Sequence, residues 1–260
     1  MSTRYSAPLP FRGQKRNFAS RLRKALEPLN DISLIVDCFG GSGLLSRVAK
    51  DAIPQATVIY NDFDSFRTRI ENIPETDLLR QQMMELLGDR YQRGQRISEA
   101  DKDCIISLLI QHPDADYLTI SSWLLFSGKW ATSLDGLARN AWYYKMRRTP
   151  IDATGYLDGL DVVSEDYRTL ILRYPPNQHT LYLLDPPYLD TDLDGYEGDV
   201  WTASDQARLI SALEDMPHFV FFASSKSAPQ KMPDGTVLLT HDTAVSARTH
   251  GYTDLMFLHL

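Results

Sequence analysis

Leu181-Tyr182-Leu183-Leu184-Asp185-Pro186-Pro187-Tyr188 is the stretch that decides how the chain is read. Four residues suited to a buried strand run into a carboxylate, two prolines that offer carbonyls but no N–H, and an aromatic ring. In an open α/β sheet, ligands bind outside the carboxyl ends of the strands. A strand ending this way is expected to hold something flat, and an ordinary proline turn is the bland alternative.

Working outward from it, the neighbouring segments supply the rest of such a sheet. Leu34-Ile35-Val36 reads as a short buried strand, followed by Asp37-Cys38-Phe39-Gly40-Gly41-Ser42-Gly43 and a helix carrying Leu44, Leu45 and Val48. Thr57 to Tyr60 is a second strand with Asp62 at its tip, completing a βαβ unit. Further strands are expected at Leu160 to Val163, Thr180 to Leu184, Phe219 to Phe222, Val237 to Leu239 and Leu255 to His259. A helix is expected over Ser204 to Leu213, and a helical pattern after Ser20 from Leu22, Leu26 and Leu29.

Between Ser65 and Trp142 the pattern is mainly helical: Ser65 to Asn72, Thr76 to Leu87, a stretch capped by Ser98, and another after Pro113. The fold class is therefore α/β, a doubly wound sheet. It carries a helical insertion of about 75 to 90 residues. Residues 1–70 and 156–260 form the catalytic domain in this reading, and 71–155 the inserted one.

Composition sets limits on function. The 43% hydrophobic and 23% charged residues are ordinary for a globular chain, and no apolar run reaches membrane-span length. The start has no apolar signal-peptide core, so no membrane partner is expected. Cys38 and Cys104 suit free thiols in a reducing cytoplasm, that of a bacterium or a phage-infected cell. The six scattered histidines lack zinc-ligand spacing, so no metal is expected. Asp190 to Gly195 opens like a calcium loop, but Trp201 stands where a bidentate glutamate is needed.

The net charge of -7 is unevenly spread. Residues 1–26 hold seven bases and no acid, leaving twenty bases against thirty-four acids, a net of -14, in the other 234. A second basic stretch, Arg139 to Arg148, holds Arg139, Lys145, Arg147 and Arg148 interleaved with Trp142, Tyr143 and Tyr144. Bases among aromatics suit phosphate and base contacts, and a solvated helix face is the alternative.

The glycine turn points to the class of ligand. Gly40, Gly41 and Gly43 let backbone approach a ligand closely, although a turn used for packing has the same residues. The spacing is neither a dinucleotide fingerprint nor a phosphate-binding loop. Asp37 would repel a pyrophosphate and attract an ammonium. Asp62 suits ribose hydroxyls, or a solvated turn. A phosphate-free nucleoside with an ammonium suggests S-adenosylmethionine. Asp185 and a following proline carbonyl would then each accept an N–H of an exocyclic amino group, aiming its lone pair at the sulfonium methyl while Tyr188 stacks on the base.

These motifs, in this order, resemble the Dam-like N6-adenine DNA methyltransferases over most of the chain. Pro10-Phe11-Arg12-Gly13-Gln14-Lys15 is similar to the family's opening Trp-Ala-Gly-Gly-Lys, with Phe11 in the aromatic place and Lys15 in the lysine place. The resemblance implies that Phe11, Lys15, Asp37, Phe39, Gly40, Gly41, Gly43, Asp62, Asp166 and Asp185 meet the cofactor. It further implies a Rossmann-like sheet, mostly parallel with one antiparallel strand near the C-terminus, and it implies that Asp185, Pro186, Pro187 and Tyr188 carry catalysis and that the insertion reads duplex DNA. Ser246 to Gly251, with the strand after it, resembles the family's closing loop.

The expected reaction is methyl transfer to N6 of an adenine flipped from duplex DNA. Cytosine N4, RNA adenine and a non-catalytic DNA-binding relative stand as alternatives. The loop Leu189 to Val200 is read as a lid, with Tyr196 and Trp201 closing over the base, or as plain disorder. Lys226 is either a substrate contact or an exposed lysine. A monomer suits an enzyme acting on one strand at a time, and a dimer is permitted.

Overall fold

The computed structural model of the chain describes residues 5–126, 128–188, 201–242 and 253–260. In chain order the elements are α1 (Arg16–Leu26), β1 (Leu34–Asp37), α2 (Leu44–Ala52), β2 (Thr57–Asn61), α3 (Phe66–Glu71), α4 (Ile73–Leu87), α5 (Glu99–Gln111), α6 (Tyr117–Leu124) and α7 (Leu134–Ala138). They continue as β3 (Leu160–Val163), α8 (Tyr167–Arg173), β4 (Thr180–Leu184), α9 (Ala203–Ala212), β5 (His218–Ser224), β6 (Val237–Asp242) and β7 (Thr253–His259). The chain divides into two compact units: Met1–Ala7, Gly13–Asp64 and Gly155–Leu260 form the first, and Pro8–Arg12 with Ser65–Thr154 the second.

The first unit is a seven-stranded sheet in the order β3-β2-β1-β4-β5-β7-β6. The β1–β2, β1–β4, β2–β3 and β4–β5 pairs are parallel, and β7 runs antiparallel to both β5 and β6. The expected mostly parallel sheet with one reversed strand near the C-terminus is therefore what the chain forms. Every residue of β4 is buried, which explains why the parallel strands read as continuous apolar runs rather than alternating ones. Ile35, Leu181, Leu183, Val220, Phe222, Met256 and Leu258 meet Phe18 and Leu22 of α1 and Val48 of α2 on one face. Val36, Tyr182, Leu184, Phe219, Phe221 and Phe257 meet Leu170 of α8 and Leu209 of α9 on the other. Removing each such side chain from water contributes about 1.5–3 kcal/mol.

Several boundaries differ from the sequence expectation. Helix α1 begins at Arg16 rather than after Ser20, because Phe18 and Ala19 already lie on its buried face. Ser65 has positive φ (55°) and stands just outside α3, while α4 starts at Ile73 with Pro74 in its first turn, where proline's missing N–H costs nothing. Ser98 does cap α5, accepting from the Asp101 amide. Thr202 closes a capping box with Asp205 at the head of α9.

In the second unit Arg69 forms a two-pronged ion pair with Asp116, Nε to Oδ1 at 3.0 Å and a terminal nitrogen to Oδ2 at 2.8 Å, and also donates to the Pro10 carbonyl. Leu79, Met83, Leu87, Ile105, Leu109, Trp123 and Trp142 are buried here. No helix among the described residues is long and apolar enough to cross a membrane. The expected lid Leu189 to Val200, the segment Asp190 to Gly195, and the closing loop Ser246 to Gly251 lie outside the described residues.

Candidate active site

The strand order reverses between β1 and β4, and the two carboxylates of interest stand at the carboxyl ends of those two strands. A crevice at such a switch point is where open α/β sheets bind ligands. Asp37, the last residue of β1, is fully buried. Its Oδ2 accepts the Ser46 hydroxyl at 2.6 Å, while Oδ1 is buried without a hydrogen-bond partner. Burial pushes its pKa up to about 7; the Ser46 hydroxyl opposes the rise and the nearby Asp185 charge adds to it.

The glycine turn follows. Gly41 and Gly43 have φ of 47° and 70°, and the Gly43 amide closes the turn onto the Gly40 carbonyl at 2.7 Å. At Gly40 the close approach is made by the protein itself: a Cβ there would stand 2.3 Å from the Tyr60 ring and 2.7 Å from the Asn61 carbonyl. The Tyr60 hydroxyl lies 2.8 Å from the Gly41 carbonyl and 2.9 Å from Asp62 Oδ1. Tyr60 and Asp62 are both buried. One phenol thus joins the glycine turn to the acid at the tip of β2, a link that the sequence reading missed. The Asn61 side chain laces the same strand ends, donating to the Cys38 and Glu165 carbonyls and accepting the Glu165 amide.

Asp185 follows β4 directly. Its Oδ2 forms an ion pair with Lys15 Nζ at 2.8 Å, and its Oδ1 is buried without a hydrogen-bond partner. Burial raises its pKa, the Lys15 charge and hydrogen bond oppose the rise, and Asp254 adds to it. Lys15 also donates to the Gly13 carbonyl at 2.8 Å and sits 5.0 Å from the Tyr188 ring centroid, within cation–π range. The lysine of the opening motif therefore stands on the Asp-Pro-Pro-Tyr segment. The motif is divided: Phe11 belongs to the second unit, edge-on to Phe66 at 5.9 Å, and Lys15 to the first.

Other candidates take structural partners. Asp166 is the N-cap of α8, accepting from the Arg168 amide, and both its oxygens bond the Arg168 guanidinium at 2.8 Å. Phe39 packs against Tyr167 and Trp201, at 5.2 and 5.5 Å between ring centroids. Trp201 is thus held in an aromatic cluster with Phe39 and Tyr167. Lys226 is exposed. Among the described residues no group of three or more His, Cys, Asp and Glu is placed to hold a metal ion.

The basic stretch Arg139 to Arg148 is not a helix face: Arg139 ends α7 in a turn, and the backbone from Trp142 to Lys145 bonds to neighbouring segments as a strand would. Trp142 is buried, with its Nε1–H on the Leu137 carbonyl at 2.9 Å, so it is a core residue and not a nucleic-acid contact. Arg147 turns its guanidinium onto the Thr149 and Pro150 carbonyls of its own loop. Arg139 and Arg148 are exposed, and Lys145 is half-buried.

No protein-family model matches the chain. A Haemophilus influenzae protein provisionally named a methyltransferase is 40% identical over 228 residues, covering 85% of this chain and 76% of that protein. The chain belongs to this methyltransferase family. Two solved structures also overlap it. A provisionally named methylase from Haemophilus influenzae has a TM-score of 0.37 at 15% identity, covering 97% of this chain and 92% of that one. A provisionally named methyltransferase from Escherichia coli has a TM-score of 0.37 at 14% identity, covering 96% and 90%. At that distance they bear on neither the site nor the fold. In this methyltransferase two carboxylates stand at neighbouring strand ends, Asp185 paired with a lysine, and each has one buried oxygen without a hydrogen-bond partner.

Proposed function

We propose that this methyltransferase takes its methyl group from S-adenosylmethionine and delivers it to N6 of an adenine flipped out of duplex DNA. The observation that carries the reading is the Asp185 carboxylate, with Oδ2 fixed by Lys15 and Oδ1 buried without a partner beside Pro186, Pro187 and Tyr188. The donor set suits the cofactor: the orphaned Oδ1 of Asp37 fits an ammonium, and Asp62 at the β2 tip fits a ribose diol. S-adenosylmethionine supplies an electrophilic methyl group on a positively charged sulfur.

The chain's own residues do the rest. Asp185 Oδ1 accepts one amino N–H and the Pro186 carbonyl the other, drawing the nitrogen lone pair out of conjugation with the ring. Tyr188 supplies a face on which the base stacks. Once the nitrogen has bonded carbon it holds a surplus proton, and Asp185 Oδ1, made a better proton acceptor by burial, is placed to take it. Extracting the base from the stack costs a few kcal/mol, which contacts to the DNA backbone must offset.

The test is to incubate the protein with methyl-labelled cofactor and, in parallel, adenine-containing duplex DNA, DNA lacking adenine, RNA and protein. Label recovered as N6-methyladenine from DNA is expected. Label confined to RNA, to protein or to cytosine would overturn the reading. Asp185→Ala should lose nearly all turnover with its circular dichroism unchanged.

A further inference from the structure

In the second unit six basic side chains are matched to an acid. Arg67 pairs with Glu71, Arg69 with Asp116, Arg80 with Asp77, Arg90 with Asp101, and Arg96 and Lys102 with Glu99. Arg93 and Lys145 are set against each other instead. Arg93 donates to the Lys145 carbonyl at 3.5 Å, and among the described residues neither cation has a carboxylate within ion-pair distance. Two cations held together without an acid repel each other, and that cost is relieved when an anion sits between them. Burial lowers the Lys145 pKa, and the Arg93 charge lowers it further.

The backbone fixes this juxtaposition. The extended segment from Trp142 to Lys145 is bonded on one side to the loop before α5: Ile97 N–H to the Trp142 carbonyl, Tyr144 N–H to the Gln95 carbonyl, and Gly94 N–H to the Tyr144 carbonyl. On the other side Tyr143 and Lys145 donate to the Leu124 and Trp123 carbonyls. Side chains alternate along an extended chain. Trp142 and Met146 are buried, and Tyr143 and Lys145 take the opposite face. There Phe126, 60% exposed, lies edge-on to Tyr143 at 4.5 Å. The turn at Gly94, with φ of 86°, places exposed Arg93 beside Lys145 from a segment some fifty residues earlier.

We infer that Arg93 and Lys145 form a clamp for one backbone phosphate of the nucleic-acid substrate, with exposed Phe126 and half-buried Tyr143 offering an aromatic surface to the adjoining sugar or base. This rests on the proposed DNA substrate and deepens it. It moves the contact from the Arg139 to Arg148 run as a whole to one of its residues and a partner outside it. A phosphate fits better than a carboxylate peptide because the site presents two neighbouring cations next to flat apolar surface, the pairing a nucleotide offers.

The experiment is a salt titration of duplex-oligonucleotide binding by the full chain, comparing wild type with Arg93→Ala, Lys145→Ala and the double variant. If both cations grip one phosphate, each variant makes the slope of log K against log [salt] shallower by about one. The double variant then loses little more than either single. Arg93→Lys and Lys145→Arg should restore most of the slope. Slopes equal to wild type in properly folded variants would overturn the clamp and leave the proposed reaction standing. Absence of salt-dependent DNA binding by wild type, with label entering another acceptor, would remove the proposed substrate and the clamp together. Tighter Arg93-dependent binding of polyglutamate than of DNA would overturn the clamp in favour of an acidic protein partner.

Discussion

Lys15 Nζ stands 2.8 Å from Asp185 Oδ2, and the same buried ammonium also faces the ring of Tyr188. A buried carboxylate tends to take up a proton, and this lysine is the main influence holding Asp185 ionised. Lys15→Met should therefore raise the Asp185 pKa further and move the acid limb of kcat/KM to higher pH. Lys15→Arg should keep it near its wild-type place. An acid limb unmoved in Lys15→Met would mean that the lysine serves only packing.

Asp37 carries a second pH signature. Its folded pKa, about 7, lies above its ordinary 3.8, so the folded protein binds a proton that the unfolded chain releases. Its contribution to stability is complete below about pH 4 and is lost as pH rises towards 7. Asp37→Asn should flatten this part of the curve and leave the protein relatively more stable at pH 8. It should also weaken cofactor binding. In the wild type, an ammonium arriving at Oδ1 favours the charged carboxylate. Cofactor binding near pH 6 should release protons, seen as a buffer-dependent heat in calorimetry; heats equal across buffers would argue against an ammonium at Asp37.

The Tyr60 phenol has one proton for two acceptors, the Gly41 carbonyl and Asp62. Tyr60→Phe keeps the ring but leaves both with one donor fewer, a loss of about 1–3 kcal/mol in denaturant titrations. Its effect on activity should fall on cofactor KM more than on kcat. Gly40→Ala meets the ring itself at 2.3 Å and should destabilise by about 1–3 kcal/mol or more.

Trp142 and Tyr143 are adjacent in sequence and should behave oppositely. Trp142→Ala opens a core cavity and removes the indole N–H from the Leu137 carbonyl, so it should cost about 3–5 kcal/mol of stability. Tyr143→Ala should leave the melting temperature nearly unchanged and weaken DNA binding. A stability loss for Tyr143→Ala as large as that for Trp142→Ala would show that both rings belong to the core.

The sheet was legible because its central parallel strands, buried on both faces, leave uninterrupted apolar runs such as Leu181 to Leu184. Asp37 and Asp185 were legible because a carboxylate ending such a run stands out. What escaped were relations across the chain. Nothing near Gly40 announces that Tyr60 will fill its place, and nothing near Lys145 points to Arg93. Trp142 was misread because an aromatic among bases looks the same whether it points inward or outward until the alternation of the segment is known. The start of α1 was missed because Lys15 offers no capping side chain to mark it; its ammonium is engaged with Asp185.

The fit of the Tyr60 ring against Gly40 also has a genealogical consequence. Positions 40 and 60 amount to a single choice made at two places in the chain. A descendant that gained a side chain at 40 would need a smaller residue at 60, and would then have to find another donor for Asp62. Substitutions at these two positions should therefore travel together among relatives that keep this glycine turn.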